Sequence, residues 1–355
     1  MNQASLEEHG MAAPVDAQTI ERRTAGSELP DIPVVELGGR SPSELFCDHR
    51  EAAEALLRSG RRLYTSNGVM VADVLSRRWA RRAGLPYLDE IAAVAAAAEA
   101  WGHRGGWLMN LSYEWGCTAS VAADPAGPGM RMRRTLDWPL RGLGRHALVV
   151  RHGSTAGPWL NVTWPGFVGA LTALAPGRFA VAINQAPMIQ HGLTGVGDWL
   201  ANRWRLYRSC ALPPGFLLRH ALEECRGYDD ARRLLAETPV CLPVFYTLAG
   251  ARPGEGCIIE RLEDRAFIHE APAAVGNCWL SPHLEGRPRG QFSGDRRAHL
   301  LARVAASGGT FEWLTPPVLN DDTRLAVVAN AATGRLAVQG WEPEGPATRV
   351  LELAA

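Results

Sequence analysis

At Gly116-Cys117 the predicted secondary structure changes from helices to mainly β-strands, and this change in character constrains the fold more than any other feature of the sequence. Before it, apolar residues recur at helical spacing in three segments, 48–59, 70–82 and 86–101. After it, β-type runs alternate with turn signals, and helices and strands then return in separate blocks. Because the elements are grouped rather than strictly alternating, the sequence predicts an α+β layered fold with antiparallel sheets.

The part of the chain after Gly116 carries most of the predicted strands. Apolar runs predict strands at 117–123, 147–152, 159–164, 178–184, 240–248, 256–262, 266–269 and 276–280, with a final hairpin at 323–330 and 334–341. Helical spacing predicts helices at 198–210, 214–225, 229–237 and 295–306. Residues 1–30 are polar and predict a disordered tail.

Composition excludes several classes of protein. The chain has 355 residues, 46% of them hydrophobic, which is enough for a large core in one big domain or two smaller ones. Its 37 basic and 37 acidic residues give zero formal net charge, so a nucleic-acid partner is not expected. The N-terminus lacks the apolar segment of a secretory signal, and no run of 18 apolar residues could span a membrane. We therefore expect a cytoplasmic protein.

The seven cysteines are odd in number, irregularly spaced and without a CxxC pair. Such a set predicts neither a disulfide framework nor a zinc site. Reduced thiols are the simplest interpretation, and no metal site is predicted.

Three polar features follow the change in character. Residues 116–120 (GCTAS) begin a strand directly after a helical region, and residues 133–137 (RRTLD) follow on. A later apolar strand ends in the pair Asn184-Gln185. Taken singly, each has an ordinary explanation: a buried cysteine, an ion pair after a turn, or a polar strand end.

In their order along the chain, these motifs resemble the N-terminal nucleophile (Ntn) hydrolases of the acid ceramidase and N-acylethanolamine acid amidase group. They are also similar to choloylglycine hydrolases and to autoproteolytic penicillin acyltransferases. In that group a cysteine follows a scissile bond and an Arg-x-x-Asp pair lies on the facing strand, here Cys117 with Arg134 and Asp137. The resemblance covers roughly residues 30 to 345 and extends over further segments: 107–115, 167–177, 254–257, 295–297 and 317–320.

The resemblance implies an Ntn hydrolase αββα sandwich, with two antiparallel sheets between helical layers. It implies that the chain is cut after Gly116 and that the two fragments stay associated. Residues 31–116 would form a helical α subunit, and residues 117–355 would form the catalytic β subunit. The whole would remain one globular unit.

The implied chemistry suits these residue types. A thiol attacks well only as a thiolate, and its ordinary pKa is about 8.5. If Cys117 becomes an N-terminus, its α-amine, with a pKa of about 7.7–8.0, can take the thiol proton. Arg134 would favour the thiolate, although Arg133 is a rival for this role, and Asp137 would orient the α-amine. This mechanism needs no cofactor.

Two positions depart from the ceramidase-like pattern. Gln185 stands where those relatives carry a glutamate, and an ungapped count back from Arg296 places His283 where they carry an oxyanion-hole asparagine. The open alternatives for the oxyanion donor are His283, Asn184 and, if the register slips, Asn277. Arg296 resembles a substrate-site arginine of the group, but it could equally be solvated at a helix start.

The sequence thus predicts hydrolysis of a linear C–N amide bond in a small N-acylated substrate through a Cys117 thioester. Acyl transfer to an amine would use the same residues and remains an alternative. A second alternative is a non-catalytic binding protein on the same scaffold, which the altered residues Gln185 and His283 favour.

Overall fold

The computed structural model of the protein describes residues 29–112, 115–192, 194–306 and 309–354. Within these ranges two β-sheets pack face to face and helices cover their outer faces, so the predicted α+β sandwich is confirmed. The tail predicted over residues 1–30 lies outside the described residues, apart from Leu29 and Pro30. No helix in the described part of the chain is both long and apolar enough to cross a membrane.

The first sheet runs along one side of the sandwich. Its described strands lie in the spatial order β1 (Val34–Glu36), β4 (Leu148–His152), β5 (Trp159–Thr163), β6 (Thr172–Ala175), β7 (Phe179–Gln185), β8 (Val244–Gly250), β9 (Gly256–Arg261) and β10 (Ala266–Glu270). Neighbours are antiparallel, except that β1 pairs with β4 in parallel. The prediction of purely antiparallel sheets is wrong at this edge. The connection from β1 to β4 contains the helices before Gly116 and the strands β2 and β3 of the other sheet, which is the long crossover that a parallel pair requires.

The second sheet carries the Gly116-Cys117 junction near its edge. Its described strands lie in the order β11 (Ala273–Val275), β2 (Gly116–Ala123), β3 (Met130–Asp137), β12 (Thr323–Asn330), β13 (Arg335–Glu342) and β14 (Gly345–Pro346), and β15 (Leu351–Leu353) also pairs with β13. Strands β2 and β3 contact β7 and β8 of the first sheet, so the inner face of β2 lies in the middle of the sandwich.

The helices divide into three groups. Within the described residues before the junction lie α1 (Pro42–Asp48), α2 (Arg50–Tyr64), α3 (Ser66–Ala83), α4 (Leu88–Ala100) and α5 (Gly106–Leu111). Three follow β7, namely α6 (Gly195–Arg208), α7 (Pro214–Glu224) and α8 (Tyr228–Glu237), and α8 packs on the outer face of the first sheet. The helix α9 (Ser293–Ala302) packs on β2 and β11, at the outer face of the second sheet.

The segment before the junction is firmly bound to the rest of the chain. Strand β1 extends the first sheet, and the indole N–H of Trp79 donates to the carbonyl of Ser209 at 2.9 Å. The carboxylate of Asp73 accepts the backbone N–H groups of Trp107 and Leu108, both at 2.9 Å, at the start of α5. The helix that leads to the junction is therefore anchored before the strand begins.

Two local predictions need correction. The helix predicted over 48–59 corresponds to α2, which begins at Arg50 and continues to Tyr64, whereas Asp48 ends α1, a separate helix that starts at the capping box of Ser41 and Glu44. The strand predicted over 276–280 is a loop, and the strand lies just before it. The backbone N–H of Leu280 donates to the buried Glu260 carboxylate at 2.7 Å and that of Asn277 donates to Ser293 Oγ at 2.6 Å, so these groups bond to side chains rather than to a neighbouring strand.

Candidate active site

Pairing of β2 with β3 brings the cysteine and one arginine to the inside of the sandwich. Ala119 lies opposite Arg134 in the register, and the guanidinium Nη2 of Arg134 lies 3.3 Å from Cys117 Sγ. Both residues are fully buried. Successive side chains on a strand point to opposite faces, and Arg133 accordingly donates to the carbonyls of Arg303 and Ala306 beyond the end of α9. Arg134 is therefore the residue that contacts the sulfur. Arg133, the alternative from the sequence, instead binds carbonyl groups at the C-terminal end of α9.

The thiol of Cys117 is held in its neutral form by this environment. Burial raises the pKa of Cys117 to about 11, although the charges of Arg134 and Arg296 act in the opposite direction. At neutral pH the thiol in the uncut chain is thus protonated, and attack by its sulfur needs a base to take the proton.

The backbone on either side of the Cys117 α-carbon is fixed by two side chains. The amide N–H of Cys117, which belongs to the Gly116–Cys117 peptide, donates to Asn277 Oδ1 at 2.9 Å. The carbonyl oxygen of Cys117 accepts a hydrogen bond from Arg296 Nη1, also at 2.9 Å. The peptide bond predicted to be cut is therefore held in one orientation.

Gly116 itself is part of strand β2 and has extended backbone. This extended conformation is open to residues other than glycine. A Cβ added at this position would lie 3.5 Å from Asn277 Oδ1 and 3.5 Å from Asp137 Cβ, both ordinary contact distances. Glycine thus leaves a small open space on the side of the peptide that faces Asn277 and Asp137.

The carboxylate of Asp137 is bound by two neighbours. Its Oδ2 lies 2.7 Å from Arg296 Nη1, and its Oδ1 accepts the hydroxyl of Thr323 at 3.0 Å. Arg296 also donates to Thr118 Oγ1 at 2.7 Å and to Asn277 Oδ1 at 3.0 Å. Arg296 is buried and hydrogen-bonded to several groups around the junction, so its position at a helix start is not a solvated one. The threonines are site residues that sequence patterns did not indicate.

The pair at the end of β7 supports the site from the other sheet. Asn184 Nδ2 donates to the carbonyls of Val275 and Gly276, at 3.2 and 3.1 Å, directly before Asn277. Gln185 Oε1 accepts the backbone N–H of Trp115 at 3.1 Å, and the Gln185 carbonyl accepts Asn277 Nδ2 at 2.7 Å. Gln185 therefore contacts both the segment that ends at Gly116 and the asparagine that holds the Cys117 amide.

His283 does not join this group in the structure. It is exposed on the loop after β11, and its ring packs edge to face against Phe267 with 5.0 Å between ring centroids. Asn277, the alternative that required a shifted register, occupies the position beside Cys117 instead. The ungapped count from Arg296 fails because the loop between Asn277 and α9 has its own length, which no sequence pattern indicates.

A cavity of about 350 Å³ opens beside the junction on the Gly116 side. Its walls come from the junction and Asp137, from β7–α6, and from the loop before α9; the lining residues are Trp115, Gly116, Asp137, Pro139, Met188, Trp199, Arg287, Pro288, Arg289, Gly290, Gln291, Arg296, Asn320 and Asp322. Among the described residues, no group of His, Cys, Asp and Glu side chains is arranged to hold a metal ion. The cavity is large enough to hold a small substrate group directly in front of the held peptide.

Comparison with known proteins gives the following similarities. No protein-family model matches the chain. Acid ceramidase from Bos taurus is 35% identical over 184 residues, which cover 49% of this chain and 45% of the relative. The N-acylethanolamine-hydrolyzing acid amidase from Cavia porcellus is 29% identical over 247 residues, which cover 64% of this chain and 66% of the relative. The chain thus spans about half the length of the acid ceramidases that it matches.

Among solved structures, the N-acylethanolamine-hydrolyzing acid amidase ortholog of Caenorhabditis elegans matches with a TM-score of 0.48 at 20% identity, covering 61% of this chain and 93% of that chain. The sequence similarities confirm the resemblance predicted from the motifs. The chain is similar to proteins of the acid ceramidase and N-acylethanolamine acid amidase group.

Proposed function

We propose that this protein is a self-activating Ntn amidase, which cuts its own chain after Gly116 and then hydrolyses a linear amide bond of an N-acylated substrate with Cys117 as the nucleophile. The observation that carries the proposal is the contact between Arg134 Nη2 and Cys117 Sγ at 3.3 Å, beside a peptide whose N–H is held by Asn277. The names of the sequence relatives, a ceramidase and an N-acylethanolamine amidase, support an amide substrate.

In the first stage, the Cys117 sulfur attacks the carbonyl carbon of Gly116. The peptide C–N bond then breaks, the Gly116 acyl group passes to the sulfur, and the proton that the thiol loses passes to the Cys117 nitrogen as it leaves. Water hydrolyses this thioester and frees the α-amine of Cys117. The hydrogen bond from the Cys117 N–H to Asn277 Oδ1 supports this stage, because it fixes the plane of the peptide under attack.

In the second stage, the free α-amine accepts the thiol proton and the sulfur attacks the substrate amide. The same proton passes to the departing amine, the acyl group remains on Cys117 as a thioester, and water releases it as a carboxylic acid. Arg134 stabilises the thiolate by its charge, and Asp137 and Asn277 orient the amine. Asn277 Nδ2, which donates to the Gln185 carbonyl alone, is the candidate donor to the tetrahedral oxyanion, whereas Asn184 Nδ2 already donates to two carbonyls.

The two fragments stay associated in this proposal. Strand β1 extends the first sheet by pairing with β4, and the buried Asn110 donates to the carbonyl of Gly166 at 2.9 Å and accepts the N–H of Val168 at 2.7 Å. Such contacts, together with the apolar residues buried against the α1–α5 region, would hold residues 31–116 on residues 117–355 after the cut.

Intact mass of the purified protein under denaturing conditions tests the proposal. We expect two chains, residues 1–116 and 117–355. The variant Cys117→Ala should give one chain and no turnover of an N-acylethanolamine or a ceramide. Cys257→Ala, which removes another buried thiol of the sandwich, serves as the matched control and should be cut normally. Turnover or cutting by Cys117→Ala would refute the assignment of the nucleophile.

A further inference from the structure

Four paired residues cross the first sheet in a single row, and each belongs to a different strand. Asn184 of β7 lies opposite Phe245 of β8. Phe245 lies opposite Glu260 of β9, which in turn lies opposite Phe267 of β10. Residues that lie opposite each other in antiparallel strands share one face of the sheet. Because Asn184 contacts the end of β11, this cross-strand row faces the second sheet.

Each member of the cross-strand row contacts the chain between β11 and α9, and the contacts follow the order of that chain. The contacted residues are, from one end of the row to the other, Val275 and Gly276, then Trp279, then Leu280 and Ser281, and last His283. Two contacts join aromatic rings, with centroids 5.6 Å apart at Phe245 and 5.0 Å apart at Phe267. The row therefore sets the path of residues 275–283, the segment that contains Asn277.

The carboxylate of Glu260 provides the polar attachment after Asn277. Its Oε1 accepts the backbone N–H of Leu280 at 2.7 Å, and its Oε2 accepts both the backbone N–H of Ser281, at 3.1 Å, and the Ser281 hydroxyl. His269 Nε2 lies 2.9 Å from the same Oε2. Glu260 is fully buried, where a charged group is stable only when it is paired or hydrogen-bonded. Both of its oxygens act as acceptors, whereas an amide has only one accepting oxygen.

Asn277 lies between the attachments made by Asn184 and Glu260. Its own backbone N–H donates to Ser293 Oγ at 2.6 Å. Its side chain accepts the Cys117 N–H at 2.9 Å and donates to the Gln185 carbonyl at 2.7 Å. The place of this side chain is set by its backbone, and the backbone is bound to the first sheet on both sides of Asn277.

We propose that Glu260 is a positioning residue of the amidase site, which acts through residues 275–283 on Asn277 and, through Asn277, on the Cys117 peptide. Within the described structure Glu260 does not line the cavity beside Gly116, so its role is to set geometry rather than to contact the substrate. A shift of a catalytic group by about 1 Å can cost about 100-fold in rate, which is how a distant carboxylate affects the reaction. This inference rests on the proposed function and adds a residue that no motif of the sequence indicated.

A double-mutant cycle with Glu260→Gln and Asn277→Ala tests the proposal, with the first-order rate of chain cutting as the readout. Glutamine keeps the shape of the side chain but loses one acceptor, so the attachment of Ser281 is weakened. We expect Glu260→Gln alone to slow cutting at least about tenfold, which is the effect of roughly one lost hydrogen bond to a charged group. In the Asn277→Ala background the same change should slow cutting by less than about twofold, because the residue through which Glu260 acts is already gone.

Glu223→Gln is the matched control for the cycle. The Glu223 carboxylate, on α7, also binds two donors, Arg219 Nε and the Tyr87 hydroxyl, both at 2.7 Å. It should change the cutting rate by less than about twofold in either background, since it does not contact residues 275–283. Urea denaturation of every variant separates a lower cutting rate from a lower folded fraction.

Hydrogen exchange gives a readout that needs no chemistry. Cys117→Ala keeps the backbone N–H at position 117 in a full-length chain that cannot be cut. Adding Glu260→Gln should speed exchange of that N–H at least about tenfold, because its acceptor on Asn277 is displaced, whereas adding Glu223→Gln should not. Mass spectrometry of the peptides that contain positions 117 and 280–281 measures both ends of the proposed connection.

The outcomes separate this inference from the proposed function. Equal slowing by Glu260→Gln in both backgrounds, or no slowing at all, would overturn the positioning role and leave the amidase function intact. If the unaltered chain is never cut, the amidase function fails, and exchange decides the structural connection: faster exchange at position 117 supports it, and a change confined to positions 280–281 or absent refutes it. If Glu260→Gln does not fold, Ser281→Ala, which removes one hydroxyl donor, replaces it in both measurements, with at least about threefold slowing expected.

Discussion

Asp137 and Arg296 form a buried ion pair, with 2.7 Å between Asp137 Oδ2 and Arg296 Nη1. The same nitrogen donates to the carbonyl oxygen of Cys117. Asp137 ends β3 and Arg296 lies in the first turn of α9, so this pair joins a strand and a helix that are far apart in the chain. One guanidinium thereby fixes both the Asp137 carboxylate and the backbone of Cys117, the proposed nucleophile.

The variant Arg296→Gln tests how strongly this pair supports the fold. It would leave the Asp137 carboxylate buried without its partner charge, which typically costs about 3–5 kcal/mol. We expect the free energy of unfolding, measured by urea denaturation, to fall by that order and self-cleavage to slow. Arg265→Gln, which removes an exposed guanidinium beside Asp264, should change the stability by less than about 1 kcal/mol. A loss of stability equal to that of the control would show that the pair contributes little.

The variant Asn277→Ala tests the residue that holds the Cys117 amide. It removes the acceptor of that N–H and also a candidate oxyanion donor, for which losses of about 100- to 1,000-fold in rate are typical. We expect both the rate of chain cutting and kcat of the mature enzyme to fall in this range, measured by gel densitometry and by substrate turnover. His283→Ala is the matched comparison, because sequence reasoning gave that residue the same role. A larger effect of His283→Ala than of Asn277→Ala would reverse the structural assignment.

The sequence predicts those strands and site residues that depend on a local pattern. The junction at Gly116-Cys117, the Arg134–Asp137 spacing and most strands follow from periodicity or from motif order, and β2 begins within one residue of its predicted start. Strand β3 was harder to recognise as a strand, because three arginines interrupt its apolar pattern. Two of them, Arg131 and Arg133, are nevertheless buried on the face toward α9, where they donate to the carbonyls of residues 303–306.

Other features depend on contacts between residues that are distant in the chain. Local spacing does not encode the parallel pairing of β1 with β4 or the approach of Asn277 to Cys117. Each depends on how distant parts of the chain come together in the fold. The contact of Thr323 with Asp137, 186 positions apart, is of the same kind. The length of the loop between Asn277 and α9 decides which residue lies beside Cys117. An ungapped count back from Arg296 led to His283 instead.

The variant Gln185→Glu tests the departure from the ceramidase-like pattern. Gln185 Oε1 accepts the N–H of Trp115, and a glutamate could keep this bond but would add a charge at a buried position. Burial raises the pKa of a carboxyl group, so the new side chain would be neutral in acid and charged near neutral pH. A negative charge near the site would oppose thiolate formation at Cys117.

We therefore expect the rate of chain cutting in Gln185→Glu, relative to the unaltered protein, to be lowest near pH 8 and to recover toward pH 5. Incubation of uncut protein at a series of pH values, followed by denaturing electrophoresis, measures this ratio. Gln339→Glu, a change away from the site on β13, is the control and should leave the ratio flat. A ratio for Gln185→Glu that is independent of pH would show that the charge at this position does not affect the thiol.

The buried His152 predicts how stability depends on pH. Its ring stacks on Trp159 with 3.9 Å between centroids, and burial together with the charge of Arg219 lowers the pKa of His152 to about 3. The unfolded chain binds this proton near pH 6.5, while the folded chain does not. The contribution of His152 to the stability is therefore fully present above about pH 6.5 and is lost as the pH falls toward 3, in total on the order of 5 kcal/mol.

The variant His152→Phe keeps the aromatic stacking and removes the titration. We expect its free energy of unfolding, measured by urea denaturation at pH values from 7 down to 4, to decline less steeply than that of the unaltered protein. The exposed His283→Phe is the matched control and should follow the unaltered curve. Parallel curves for His152→Phe and the unaltered protein would mean that other groups govern acid sensitivity. A flatter curve would identify the proton on one buried ring as a limit on how acidic a compartment this fold tolerates.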